Sequence, residues 1–189
     1  MFNFKDIISG KILKYFKPAM IYGIRHNGSI LPDTRISNTV SIDHKENLDL
    51  NDNVFIGHYT LIDASNGVSI GEGCQITNYI SILSHSSHNS IRYYGREYRK
   101  HKDLKGYVKG SVEIGAYTFI GPHSTILPNT KIGKGCMITA YSMVKGEFPD
   151  FSIISGNPAK VTGDTRTKDA EFLSGEEQLK GYYEEWAKK

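Results

Sequence analysis

Residues 111–144 read SVEIGAYTFIGPHSTILPNTKIGKGCMITAYSMV. Ile114, Ile120, Ile126, Ile132, Ile138 and Val144 follow one another six residues apart without a break. Glycine follows Ile114, Ile120 and Ile132. This period is too short for a helix pair or a propeller blade. It predicts a parallel β-helix in which each hexad forms one flat side of a coil. The aliphatic residue points to the axis, and glycine or a small polar residue turns the corner. Strand alternation with period two would not explain the glycines.

The beat also runs upstream. Leu50, Ile56, Ile62 and Val68 keep it, and the phase then slips by two to Ile70, Ile76 and Ile82. Ile36, Ile42 and Leu48 extend it to an earlier coil. At 189 residues the chain is read as one domain with appendages. The apolar fraction of 39% suits a thin β-helix, whose coils bury few side chains per turn. Long exposed faces of that kind favour oligomerisation. A net charge of +3 is too small to argue for nucleic acid.

Cys74 and Cys136 each stand two residues before an axial isoleucine, in Gly-Glu-Gly-Cys and Gly-Lys-Gly-Cys. They read as repeat positions, not as a disulfide or a metal site, and point to a reducing, cytoplasmic compartment. No run approaches the roughly 18 apolar residues of a membrane span, and no secretory signal is expected.

Three segments break the beat. Residues 1–30 mix Phe2, Phe4, Ile7, Ile8, Ile12 and Leu13 with Lys5, Lys11, Lys14 and Lys17. They read as an N-terminal helical arm, with the helix ended by Pro18. Its alternatives are a cap on the first coil and a basic amphipathic contact with an anionic membrane surface. Residues 164–189 read as a helical tail. Ser174 with Glu177 has the capping-box pattern, and Leu179, Tyr182, Tyr183 and Trp186 recur at helical spacing. Between them, residues 31–163 form the β-helix domain.

The largest interruption is an extruded loop at about 84–110. It carries Arg92, Arg96, Arg99, Lys100, Lys102, Lys105 and Lys109 against Glu97 and Asp103, together with four tyrosines. A loop of this length in a compact repeat fold is usually functional. His85, His88 and His101 lie in it. No Cys or carboxylate accompanies them at ligand spacing, so no metal is expected.

The isoleucine-paced repeat interrupted by this loop resembles the hexapeptide-repeat acyltransferases. More narrowly, it resembles the sugar and polysaccharide O-acetyltransferases related to maltose and galactoside acetyltransferases. The resemblance spans about residues 36–163. It rests on Ile-Ser-Ile-Leu-Ser-His at 80–85, on residues 111–128, and on the Gly156-Asn157-Pro158-Ala159-Lys160 ending. It implies an all-β fold, the left-handed parallel β-helix, assembled as a homotrimer. The active sites would lie between subunits, with acetyl-CoA as cosubstrate and a sugar or glycan as acceptor.

Transfer of acetyl from a thioester to a hydroxyl needs a general base, and imidazole suits that task near neutral pH. His85 matches the family's catalytic histidine. His88 is the rival, because Ser86-Ser87 stands where the family usually has proline or another small residue. By position, Pro122, Ala140 and Lys145 match the family's CoA contacts, Phe119 its aromatic near the site, and Lys160 its basic residue for the CoA phosphates. Arg166 is a further candidate there. His58 and Asp63 fall near the family's sugar-binding positions. Arg92 and Tyr94 of the loop suit a sugar ring and its hydroxyls, and the basic loop favours an anionic acceptor.

The function expected is O-acetylation of a sugar or cell-surface polysaccharide precursor, in the cytoplasm or at the inner face of the membrane. The alternatives are N-acetylation of an amino sugar or drug, and a non-catalytic scaffold. A carbonic-anhydrase-like β-helix fits the basic loop and the Gly-Asn-Pro-Ala-Lys ending poorly.

Overall fold

The computed structural model describes residues 17–188. The chain winds as a parallel β-helix with three faces. Ile36, Ile56, Ile76, Ile120, Ile138 and Ile154 stack on the first face. Ile42, Ile62, Ile82, Ile126 and Val144 stack on the second. Leu50, Ile70, Ile114, Ile132 and Phe148 stack on the third. All are buried except the half-buried Ile42, so the three columns meet in one axial core. Burying each such side chain contributes about 1.5–3 kcal/mol.

Further inward positions lie two residues before the axial residues of the first and second faces. They hold small residues: Thr34, Val54, Thr60, Cys74, Thr118, Ser124, Cys136 and Ser142. A buried hydroxyl is costly unless bonded, and these hydroxyls bond to the next coil. Thr60 Oγ1 donates to the Thr77 carbonyl and accepts from the Ile80 N–H. Thr118 does the same with Gly133 and Cys136, and Ser124 with Thr139 and Ser142.

The phase slip has a structural cause. The aligned residues Ile36, Ile56 and Ile76 are twenty apart, whereas Ile120 and Ile138 are eighteen apart. The difference sits at one corner, between the second and third faces. There Ile42 to Leu50 and Ile62 to Ile70 take eight residues, and Ile126 to Ile132 takes six. Ile82 to Ile114 crosses the same corner in thirty-two, which extrudes the loop. The Gln75 N–H nevertheless reaches the Thr118 carbonyl at 2.9 Å, so the coil continues beneath the insertion.

The loop has structure of its own. His85–Ser86 pairs antiparallel with Val108–Lys109, and α1 (Ser90–Tyr94) leads into a 3-10 turn over Gly95–Lys100. Its neck is pinned by Gly110 N–H to the Ser84 carbonyl and by Asn129 Nδ2 to the Lys109 carbonyl. A Cβ on Gly110 would stand 1.9 Å from Asn129 Oδ1, so a larger residue would have to displace the Asn129 side chain that pins the neck.

Residues 1–16 of the expected helical arm, with the apolar residues Phe2 to Phe16, lie outside the described residues. Beyond Pro18 the arm is a β-hairpin, Met20–His26 with Ser29–Ser37, which extends the first face. At the other end Ser152–Gly156 folds back antiparallel on Ala159–Asp164. Two helices follow, α2 (Thr165–Leu173) and α3 (Glu177–Ala187). Asp164 caps α2 by accepting from the Arg166 N–H. Ser174 differs from its expected role: it ends α2 and gives α3 no cap. The aromatic spacing has a purpose, since Trp186 stacks on Tyr117 at 4.6 Å and meets Phe151 at 5.9 Å. No helix among the described residues is long and apolar enough to cross a membrane.

The axial column should be the most sensitive part of the fold. Ile120→Ala is expected to lose about 2–5 kcal/mol in urea unfolding. Gly121→Ala should also destabilise, because its Cβ would stand 2.5 Å from the Ala140 nitrogen. Unfolding midpoints equal to wild type for both would contradict the packed coil.

Candidate active site

The variable corner holds a compact polar cluster. Asp63 follows the axial Ile62, and His85 enters from the loop neck one coil on. His85 Nδ1 lies 2.6 Å from Asp63 Oδ2 and 3.1 Å from Ser65 Oγ. Asp63 also accepts from the Ser84 N–H and hydroxyl, each at 3.2 Å, and from the Ser65 N–H at 3.1 Å. The Asp63 side chain is 7% exposed and that of His85 is 39% exposed, so the carboxylate is enclosed and the imidazole faces out.

Burial alone would raise the Asp63 carboxyl. The Ser65 hydroxyl and N–H, together with the His85 imidazole, outweigh it and hold the group below the ordinary carboxylate value. An ionised carboxylate can only accept, so His85 Nδ1 carries the proton and donates it. Nε2 is then left with a lone pair, which can take a proton from a bound hydroxyl or amine.

Tyr107, from the far end of the loop, stacks on the imidazole with ring centroids 5.5 Å apart and planes 11° apart. Burial, with Tyr98 and Asp63 nearby, pushes its hydroxyl up. His88 is exposed, with Nδ1 2.8 Å from Ser86 Oγ and, among the described residues, no carboxylate on its ring. His101 tilts against Tyr94 within the loop. Burial pushes the Cys74 and Cys136 thiols up to about 11, so neither is a nucleophile at neutral pH.

The other sequence candidates are spread over the prism. His58, Pro122 and Ala140 lie at the corner between the first and second faces, where His58 Nδ1 is 2.6 Å from Ser37 Oγ. Tyr59, Tyr79, His123 and Tyr141 form a stacked ladder along that corner, with centroids 4.8–5.2 Å apart. Phe119 is exposed on the first face and lines a groove of about 500 Å³ with Met137, Phe172 and Trp186. Lys145 follows the axial Val144, and Lys160 lies exposed on the closing hairpin opposite Ser155. Arg166 is bonded to Asp164.

Two loop candidates are engaged by the loop itself. Arg92 donates to the His88 carbonyl and to Asn89, and the Tyr94 hydroxyl accepts from the Lys105 N–H at 3.0 Å. Asp63, expected near an acceptor sugar, is instead enclosed against His85. Ser65, Ser84 and Tyr107 were missed by the sequence reading. A twenty-residue coil length would have found Ser65, which lies one coil beneath His85. Among the described residues no group of three His, Cys, Asp or Glu side chains is placed to hold a metal ion.

Residues 111–146 match the bacterial transferase hexapeptide family (six repeats). The chain is 31% identical over 112 residues to a putative lipopolysaccharide biosynthesis O-acetyl transferase, WbbJ, of Escherichia coli K12, covering 58% of this chain and 57% of that protein. It is 29% identical over 177 residues to the dTDP-4-amino-4,6-dideoxy-D-glucose acyltransferase of Escherichia coli, covering 91% and 88%. The chain spans 57%, 37% and 35% of the length of the first three curated relatives it matches. A galactoside acetyltransferase in complex with coenzyme A superposes with a TM-score of 0.59 at 22% identity, over 69% of this chain and 62% of that one. That likeness shows the left-handed β-helix fold.

Ionised Asp63 should stabilise the fold. Asp63→Asn is expected to cost about 1–3 kcal/mol at pH 7. The folded carboxyl titrates below its unfolded value of about 3.9, so this contribution is complete above that pH and fades as pH falls through the folded value. Unfolding curves of wild type and variant should therefore converge in acid. A constant gap from pH 7 to pH 2 would show that the charge is not what stabilises.

Proposed function

We propose, from the match of residues 111–146 to the bacterial transferase hexapeptide family, that the chain is an acetyl-CoA-dependent O-acetyltransferase. The acceptor is a hydroxyl of a sugar or of a cell-surface polysaccharide precursor. The observation that carries this reading is the Asp63–His85 pair, with the carboxylate enclosed on Nδ1 and the imidazole facing out.

His85 Nε2 takes the hydroxyl proton as the acceptor oxygen attacks the thioester carbonyl. The resulting imidazolium is stabilised by Asp63 at 2.6 Å and returns the proton to the departing CoA sulfur. Asp63 acts as a positioning residue: it fixes the tautomer through Nδ1, and the stacked Tyr107 helps hold the ring plane. No acyl-enzyme is needed, in keeping with the raised thiols of Cys74 and Cys136. The name of the lipopolysaccharide relative supports a glycan acceptor.

Phe119, Pro122, Ala140, Lys145 and Lys160 remain the proposed contacts for acetyl-CoA. Phe119, Pro122, Ala140 and Lys160 stand on the first face, its corner and the closing hairpin, away from the His85 corner, whereas Lys145 follows the second-face Val144 in the register of Asp63. A neighbouring copy would bring the two sets together across a cleft, which supports the homotrimer. His58 at the first corner would then face the acceptor from that neighbour. A second reading, N-acylation of an amino sugar, draws on the dTDP-amino-sugar acyltransferase that this chain matches over 91% of its length. The same base serves either nucleophile.

Thiol release from acetyl-CoA across a panel of sugars, nucleotide sugars and amino sugars tests the reading. His85→Ala should lower kcat about 10²–10⁴-fold with little change in KM for acetyl-CoA, and His88→Ala should stay near wild type. A His85→Ala enzyme with wild-type turnover would end the proposal and favour a scaffold. Preference for an amine over a hydroxyl would move it to the second reading.

A further inference from the structure

Beside His85 the loop and the prism enclose a cleft of about 650 Å³. Ser65 and Asn66 line it from the corner of the coil, and Tyr98, Tyr107, Lys105 and Lys109 line it from the loop. We propose that this cleft is an anion subsite, and that the acceptor carries a phosphate ester or diphosphate seated there while its sugar reaches His85. The proposal rests on the transferase reading above and names its substrate class.

The first support is register. His85 and Lys109 are direct partners in the two-residue antiparallel ladder at the loop neck. Directly opposed residues project to the same side of such a ribbon, with Cβ atoms about 5 Å apart. The Lys109 side chain therefore leaves the ribbon on the side of the imidazole. A charge held there is placed next to the reacting atoms and not at a remote surface.

The second support is the charge balance. Lys102, Lys105 and Lys109 meet a single carboxylate in the cleft, that of Asp103. Among the described residues none of the three ammonium groups has an ion-pair partner, whereas Lys100, outside the cleft, is held by Glu97 at 2.8 Å. The loop thus neutralises a lysine outside the cleft and leaves the cleft cationic. Lysine is suited to phosphate as a mobile point charge with three donors.

The third support is access. Tyr107 both walls the cleft and stacks on His85, so the anion seat and the base share one aromatic partition. Ser65 and Asn66 line the cleft on the prism side, where the Asn66 amide donates to Ser65 Oγ and Ser65 Oγ meets His85 Nδ1, which ties the cleft wall to the base. A neutral, unphosphorylated sugar would leave the three ammonium groups without a counter-charge.

Binding of inorganic pyrophosphate to the full chain, followed by calorimetry, tests the subsite without any need for turnover. Wild type and a Lys168→Gln control, altered on the exposed surface of α2, should bind alike. Lys105→Gln and Lys109→Gln should each weaken binding about tenfold, equal to about 1.4 kcal/mol, and the affinity should fall with added salt. In the transfer assay the same variants should raise KM for a nucleoside-diphosphate sugar or a polyprenyl-diphosphate sugar, and leave KM for the free sugar unchanged. Whichever diphosphate responds identifies the natural source. Pyrophosphate binding that survives both substitutions, or is absent in wild type, overturns the subsite. Binding that is lost as expected, in a protein that transfers acetyl to nothing, upholds the subsite and defeats the transferase reading instead.

Discussion

Everything in this molecule depends on one constraint: each coil must place its backbone donors under the acceptors of the next. The Phe55 N–H bonds to Cys74, Gln75 to Thr118, and Phe119 to Cys136, all at 2.9 Å. Backbone polar groups of a narrow rod have few other partners, and leaving them unpaired away from water is costly. The axial isoleucines therefore align, and the step between faces stays at six at two corners of every coil. Only the corner between the second and third faces departs from it. Asp63, Ser65 and His85 all stand at that corner.

The other corners carry a different cost. Tyr59, Tyr79, His123 and Tyr141 all have φ between 57° and 60°, and Tyr117 and Phe151 lie at 56° and 62°. For a residue with a Cβ this conformation costs roughly 1–2 kcal/mol. Glycine would relieve it, and Gly73 and Gly135 do occupy two such places. The aromatic residues offset the strain by stacking coil on coil, which is worth about 0.5–1.5 kcal/mol per pair. At the corner between the third and first faces the same device anchors Trp186, so the tail is held by the turn chemistry of the rod.

The fold was legible because a six-residue isoleucine beat admits few alternatives. Nearly every position assigned to the axis is buried. The hydroxyl column at Thr60, Thr118 and Ser124 was not read, because Ser and Thr two residues before an isoleucine look like ordinary turn residues. His85 stood out as a candidate base through its place at the break. Its carboxylate was not, since Asp63 is 22 residues away and becomes its neighbour only when the coil length is taken as twenty. Tyr107 could not be found from local sequence, because contact with His85 requires the loop to close on itself. Ser174 misled because a capping-box pattern fits the end of one helix as well as the start of the next.

The loop meets the rod at one narrow neck, where Gly110 and Asn129 pin it beneath Ser84 and Lys109. The coil below closes as though the insertion were absent. Segments of other lengths and compositions can therefore be exchanged at this corner without disturbing the register of the rod. His85 and its carboxylate belong to the rod and its neck, whereas the charged and aromatic groups around them belong to the exchangeable part. Under the proposed function, loop replacement would change acceptor choice while leaving the proton-transfer pair in place, and the neck is the natural junction for grafting one specificity onto another.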